Sequence, residues 1–115
     1  MNTDNELSSK KCVPCEGGID SLNKDECQKF IQKLDSDWNL SKDNKKISKS
    51  FKFKNHYEVI SLVNMIAWIS HSEDHHPEIN FSYNTVLVTY YTYAIDGLSE
   101  NDFICAAKID KNLVS

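Results

Sequence analysis

An α+β fold is predicted, a four-stranded antiparallel sheet with helices packed on one face in the order α-β-β-α-β-β-α. Three observations carry this reading. Ile47, Phe51 and Phe53 alternate with Ser48, Ser50 and Lys52, the period-2 pattern of a strand with one buried face. Val59, Leu62, Val63, Ile66 and Ile69 recur at helical spacing between that strand and a second extended region. The run TVLVTYYTY, rich in β-branched and aromatic residues, then pairs with an alternating Ile79, Phe81, Tyr83 segment across a turn near Asn84.

The elements follow in order. Residues 1 to 11 are polar and aperiodic and read as a flexible tail, with residues 12–115 as a single domain. CVPCEGGID reads as an irregular arm. Cys27, Phe30, Ile31 and Leu34 predict a short amphipathic helix, begun by Asn23 with Glu26 three residues on, the spacing of a capping box. DWNL and KISKSFKF flank SKDNK, whose residues favour turns, and make the first hairpin. The long helix follows Asn55, and Met65, Ala67 and Trp68 widen its apolar stripe beyond what one sheet contact covers, which predicts an oligomer. Pro77 disfavours α geometry at His76, so that helix stops just before it. GLSENDFICAAKID places Ser99 ahead of Asp102 at capping-box spacing and buries Phe103, Ile104, Ala106 and Ala107 in a last helix.

Length and composition narrow the function. A chain of 115 residues fits one domain with one core and needs neither disulfide nor structural metal to fold. With 13 Lys and Arg against 17 Asp and Glu, the net charge of −4 argues against nucleic acid. The nearest approach to a basic patch, Lys42, Lys45, Lys46 and Lys49, reads as a solvated hairpin. YEVISLVNMIAWI is too short to cross a membrane, and MNTDNELSSKK lacks the apolar core of a signal peptide, so a cytoplasmic setting is expected.

Of the four cysteines only Cys12 and Cys15 form a C-x-x-C pair, and no second pair or closely spaced histidines follow to complete a zinc site. CVPC does not open a helix whose dipole would lower a thiol pKa, while Cys27 and Cys105 fall on apolar helical faces where free Cys is an inert core residue.

HSEDHHPEINFSY concentrates the chemistry. His71 and His75 share a face only if the helix persists through both, and the spacing departs from the H-E-x-x-H pattern of zinc enzymes. A metal protein using His71, His75 and the C-x-x-C arm is one alternative, and a solvated His71 near the helix C-terminus is another. His75 and His76 stand at a forced helix-to-strand junction, and imidazole gives and accepts protons near neutrality. There is no G-x-S-x-G elbow and no Gly-rich phosphate loop, which leaves proton transfer on a bound small molecule.

EDHHPEI followed by YNTVLVTYYTYAIDGLSENDFICAAKID resembles the pterin-4a-carbinolamine dehydratase family, and CVPCEGGI, DWNL and FKFKNHYEVISLVNMIAWIS extend the likeness over nearly everything after residue 10. That family carries a His-His-Pro segment, a Thr-His or Ser-His pair, a Gly-Leu turn and an acid in its last helix. The resemblance implies an α+β homodimer or homotetramer that eliminates water from 4a-hydroxytetrahydropterin to give quinonoid dihydropterin, with no metal or organic cofactor. The pterin would come from an aromatic amino acid hydroxylase pathway. It implies His75, His76 and Asp102 as catalytic, with Pro77 bordering the substrate and Thr92, Tyr93, Ala94 and Ile95 lining the other wall. Where the family usually has its third histidine this chain has Tyr93, whose reference pKa of ~10 makes it a poor proton shuttle at neutral pH. A non-catalytic pterin-binding or dimerisation module of the same fold is the competing expectation.

Overall fold

Alternation along two strands fixes which side of the sheet is the core. In the computed structural model, which describes residues 4–13 and 20–113, β2 (Ile47–Lys52) pairs antiparallel with β4 (Thr85–Tyr90). Ile47, Val86, Val88 and Tyr90 are buried, while Ser50, Thr85 and Leu87 on the other face are exposed. β1 (Asn39–Leu40) flanks β2, and β3 (Glu78–Phe81) flanks β4, giving the antiparallel order β1-β2-β4-β3 with β3 at one edge. The first hairpin turns through Asn44 at φ 61°, a left-handed conformation that Asn tolerates well.

Among the described residues four α-helices complete the fold, α1 (Asp4–Ser9), α2 (Lys24–Ile31), α3 (His56–Glu73) and α4 (Glu100–Asn112), with a single 3-10 turn at Tyr93–Ile95. α2 starts with the capping box expected from Asn23 and Glu26, each accepting the other's backbone N–H at 2.9 Å. Asn55 caps α3 by accepting from Glu58 N at 3.0 Å. Val59, Leu62, Ile66 and Ile69 of α3 are buried, with Val63 and Met65 partly so. α4 is the most enclosed helix: Phe103, Cys105, Ala106 and Ile109 have no exposed surface and Ile104 has 3%. Burying a side chain the size of Phe103 or Ile109 stabilises the fold by about 1.5–3 kcal/mol. The four-stranded α+β architecture is thus as the sequence predicts.

Two expectations need correction. Residues 4–9, expected in a flexible tail, form α1, which packs on α4 with Leu7 at 1% exposure and Lys108 Nζ donating to Ser8 O at 2.8 Å. One apolar residue anchors the segment, and one apolar residue leaves no periodicity to read. Lys49, expected in a solvated patch, is buried at 6% exposure because it faces the core with its strand neighbours Ile47 and Phe51. There it donates to Asp35 Oδ2 and Asp110 Oδ1, both at 3.2 Å, and lies 5.0 Å from the Phe51 ring centroid.

Gly97 closes the loop between β4 and α4. Thr92 N donates to Gly97 O at 2.9 Å, and a Cβ at Gly97 would lie 2.6 Å from Ser21 Cβ, so the close approach requires glycine. This loop carries Tyr93.

Candidate active site

The proline at position 77 disfavours α geometry at His76, and α3 ends before it, at Glu73. Asp74 takes the left-handed conformation (φ 52°, ψ 44°) and its N–H donates to Ser70 O, which turns the chain out of the helix. His71 and His75 therefore do not share a helical face. His71 is exposed and its ring packs 5.8 Å from Trp68, whereas His75 swings under the end of the sheet.

His75 is held on two sides. Its ring stacks on Tyr90 with centroids 5.9 Å apart and planes 6° apart, and Nε2 lies 2.6 Å from Asp102 Oδ1. Asp102 has no exposed surface, and its other oxygen accepts from Thr92 Oγ1 at 2.6 Å and Ser99 N at 3.0 Å. The Asp102 carboxylate thus fills the reciprocal half of the capping box at α4 while holding the histidine. One residue serves both the helix start and the site. Thr92 Oγ1 also contacts Ser99 Oγ at 3.0 Å.

His75, His76, Thr92 and Tyr93 border one cavity of about 530 Å³. Cys12, Val13, Glu73, Asp74, Tyr91 and Asn101 complete its wall; the sequence weighed Cys12 only as part of the C-x-x-C pair and did not single out Val13, Tyr91 or Asn101. An adjoining cavity of about 220 Å³ shares His76, Tyr91 and Tyr93 and adds Pro77, Lys46 and Glu78. Ala94 is exposed, and Ile95 borders a separate cavity with Leu22 and Ile104, so only the first half of the segment 92–95 faces the histidines.

Tyr93 is 81% exposed and meets the Tyr91 ring edge-on at 4.5 Å and 85°. Tyr91 OH donates to Asp96, which pushes its phenol up to about 12, and Asp96 also pairs with Lys45 at 2.8 Å. Tyr90 differs: its hydroxyl is buried with no hydrogen-bond partner among the described residues, and burial pushes it well above the ordinary phenol value. It remains a neutral platform under His75.

The N-terminal arm forms the remaining wall. Cys12 N donates to Glu73 Oε1 at 2.8 Å, Val13 N donates to Asn101 Oδ1 at 3.0 Å, and Asn101 Nδ2 donates to Val13 O at 2.6 Å. Burial pushes the Glu73 carboxyl up, yet the Cys12 amide and the ammonium groups of Lys108 and Lys11 pull harder and leave it below its ordinary value. Among the described residues no three His, Cys, Asp or Glu side chains converge as metal ligands, and Cys15 lies outside those residues. No helix of the described chain is long and apolar enough to cross a membrane.

Comparison with known proteins bears on family and fold. A protein from Nitrosomonas eutropha, provisionally named pterin-4-alpha-carbinolamine dehydratase, is 51% identical over 110 residues, 96% of each chain. One from Legionella pneumophila with the same provisional name is 47% identical over 109 residues, 95% of this chain and 96% of that one. The crystal structure described as a transcriptional coactivator/pterin dehydratase from Brucella melitensis superposes with a TM-score of 0.75 at 30% identity, covering 80% of this chain and 97% of that one. A pterin dehydratase-like protein described as a RuBisCO assembly factor in the alpha-carboxysome shares the fold at a TM-score of 0.57 and 22% identity, over 67% of this chain and 89% of that one. The model of the family described as pterin 4 alpha carbinolamine dehydratase matches residues 20–112, and the chain belongs to that family.

Proposed function

We propose that this protein eliminates water from 4a-hydroxytetrahydropterin to give quinonoid dihydropterin, with His75 and His76 exchanging the protons and Asp102 positioning His75. The observation that carries the reading is the 2.6 Å contact between His75 Nε2 and the fully buried Asp102, on the wall of a cavity that His76 also borders.

The chemistry follows from the hydrogen bonds. Asp102 accepts from Thr92 and Ser99 through Oδ2, so Oδ1 takes the N–H of His75 Nε2, and Nδ1 is left as the second exchangeable ring position. Loss of the 4a hydroxyl requires its protonation, and formation of the new double bond requires removal of the N5 proton. One imidazole acts as acid and the other as base, and neither step needs a metal or an organic cofactor. Tyr93, with Pro77 behind His76, would border the substrate, and Thr92 would act through Asp102 rather than on the pterin. The setting proposed is cytoplasmic, downstream of an aromatic amino acid hydroxylase. Tyr57 and Trp68 stand 85% and 69% exposed on α3, which supports a homodimer or homotetramer that covers them. Sedimentation showing only monomer at micromolar concentration would exclude that assembly.

The deciding experiment is a direct dehydration assay with synthetic 4a-hydroxytetrahydropterin against the uncatalysed rate. Replacing His75 and His76 together with Ala should remove nearly all acceleration, since each acid or base contributes ~10²- to 10⁴-fold. A double variant as fast as the parent overturns the site. A second reading, a pterin-binding or assembly module without turnover, draws on the exposure of Tyr93, which leaves the far side of the cavity open. Saturable pterin binding with no acceleration by the parent would select it.

A further inference from the structure

We propose that Cys12 and Cys105 are a reversible dithiol–disulfide clasp that fastens the N-terminal arm to α4 at the wall of the cavity. Their Sγ atoms lie 3.6 Å apart although the residues are 93 positions apart in sequence. A disulfide needs ~2.05 Å between sulfurs, so the two need only approach by roughly 1.5 Å. The arm is already docked for this by the hydrogen bonds of Cys12 N to Glu73 and of Val13 to Asn101. Cys12 is half-buried and borders the cavity, while Cys105 is fully buried three residues after Asp102. A small oxidant entering the cavity therefore meets Cys12 first.

A peroxide is the oxidant whose size and chemistry fit. The Cys12 sulfur attacks one peroxide oxygen, the O–O bond breaks, and the departing hydroxide leaves as water with the proton that Cys12 gave up. Cys12 is then a sulfenic acid. The Cys105 sulfur attacks the Cys12 sulfur, the S–O bond breaks, and the hydroxide departs as a second water with the Cys105 proton. Two thiols and one hydrogen peroxide give one disulfide and two waters. The contact with Cys12 and burial push the Cys105 thiol far up, so Cys105 stays protonated and the first attack belongs to Cys12. A thiol reductant reverses the bond.

The test is independent of dehydration. The full chain is treated with stoichiometric hydrogen peroxide, remaining thiols are blocked with iodoacetamide, and the linkage is mapped by mass spectrometry without reduction. The expected result is a Cys12–Cys105 linked peptide in both the parent and a Cys15→Ser variant, lost on reduction. The clasp closes a long loop, so the oxidised form should unfold at a temperature at least about 5 °C higher than the reduced form. In Cys105→Ala, Cys12 should instead accumulate as a sulfenic acid that dimedone traps. A Cys12–Cys15 linkage, or overoxidised Cys12 beside free Cys105, overturns the proposal. Mapping of the parent decides the matter even if Cys105→Ala does not fold.

Discussion

Asp102 and Asp110 lie on the same helix and are both largely withdrawn from water, yet they sit in opposite kinds of surroundings. Asp110 is a structural anion: it accepts from Trp38 Nε1 at 2.9 Å, from Asp35 N at 3.0 Å and from Lys49 at 3.2 Å, tying the turn after α2 and strand β2 to the end of α4. Asp102 takes donors from Thr92 and Ser99 on one oxygen only and gives the other to a histidine that borders a cavity. A carboxylate surrounded by fixed donors and a permanent cation holds the fold together. One whose last partner can gain and lose a proton at the edge of a cavity is equipped for chemistry.

The comparison is most sharply broken by exchanging effects on rate and stability. Asp102→Asn should lower the dehydration rate by ~10²-fold or more, because the amide cannot both accept from Thr92 and Ser99 and hold the His75 tautomer. Steady-state rates on protein shown folded by circular dichroism would check it. Asp110→Ala should do the reverse. It leaves Lys49 buried with only the half-exposed Asp35 as partner and costs about 3 kcal/mol in denaturant unfolding, with the rate per folded molecule unchanged. If Asp110→Ala slows dehydration as much as Asp102→Asn does, the division of labour is wrong.

Smaller changes sharpen it. Thr92→Val removes one donor to Asp102 and should cost about ten-fold in rate, with Thr92→Ser restoring most of the loss, a rescue that a packing role would not give. Tyr93→His should raise the rate for whichever 4a stereoisomer the parent handles poorly, read by single-turnover rates on both isomers. Equal isomer rates in the parent, unchanged by the histidine, would remove Tyr93 from the chemistry. The smallest effects come from pH. Glu73 is held below its ordinary 4.5, so its stabilisation is full above that value and fades as acid takes the folded carboxyl through its own lower pKa. Burial holds Asp110 above its ordinary 3.8, outweighing its hydrogen bonds and Lys49, so this group favours the folded state as pH falls. Between pH 6 and 3, Glu73→Gln should lose less stability than the parent and Asp110→Asn more. Denaturation midpoints across that range would show the opposite signs.

The architecture was legible because its signals are short-range: Asn23 with Glu26, the period-2 run around Phe51 and the stop at Pro77 each act within a few residues. His75, His76, Thr92, Tyr93 and Asp102 were legible as a set through the family resemblance, and the structure gathers them around one cavity or directly behind it. The Lys49–Asp110 pair and the Cys12–Cys105 contact were not, since each joins residues more than sixty positions apart whose individual identities look ordinary. Lys49 shows how a strand's alternation outranks its side chain's preference: the face was readable, but the lysine on it was taken for a surface charge. Tyr91 carried no signal because an aromatic in a β-rich run reads as part of the strand.

The left-handed residue between α3 and His75 sets a rule for which sequences this junction accepts. At φ 52° a β-branched side chain is strained, whereas Asn or Gly adopts the same backbone freely. Asp74→Asn or Asp74→Gly should therefore leave the His75 ring over Tyr90, and Asp74→Val should displace it through the backbone. Mutational tolerance at position 74 is thus first a backbone criterion, and a library randomised there and sorted for folded protein would keep residues by their conformational freedom.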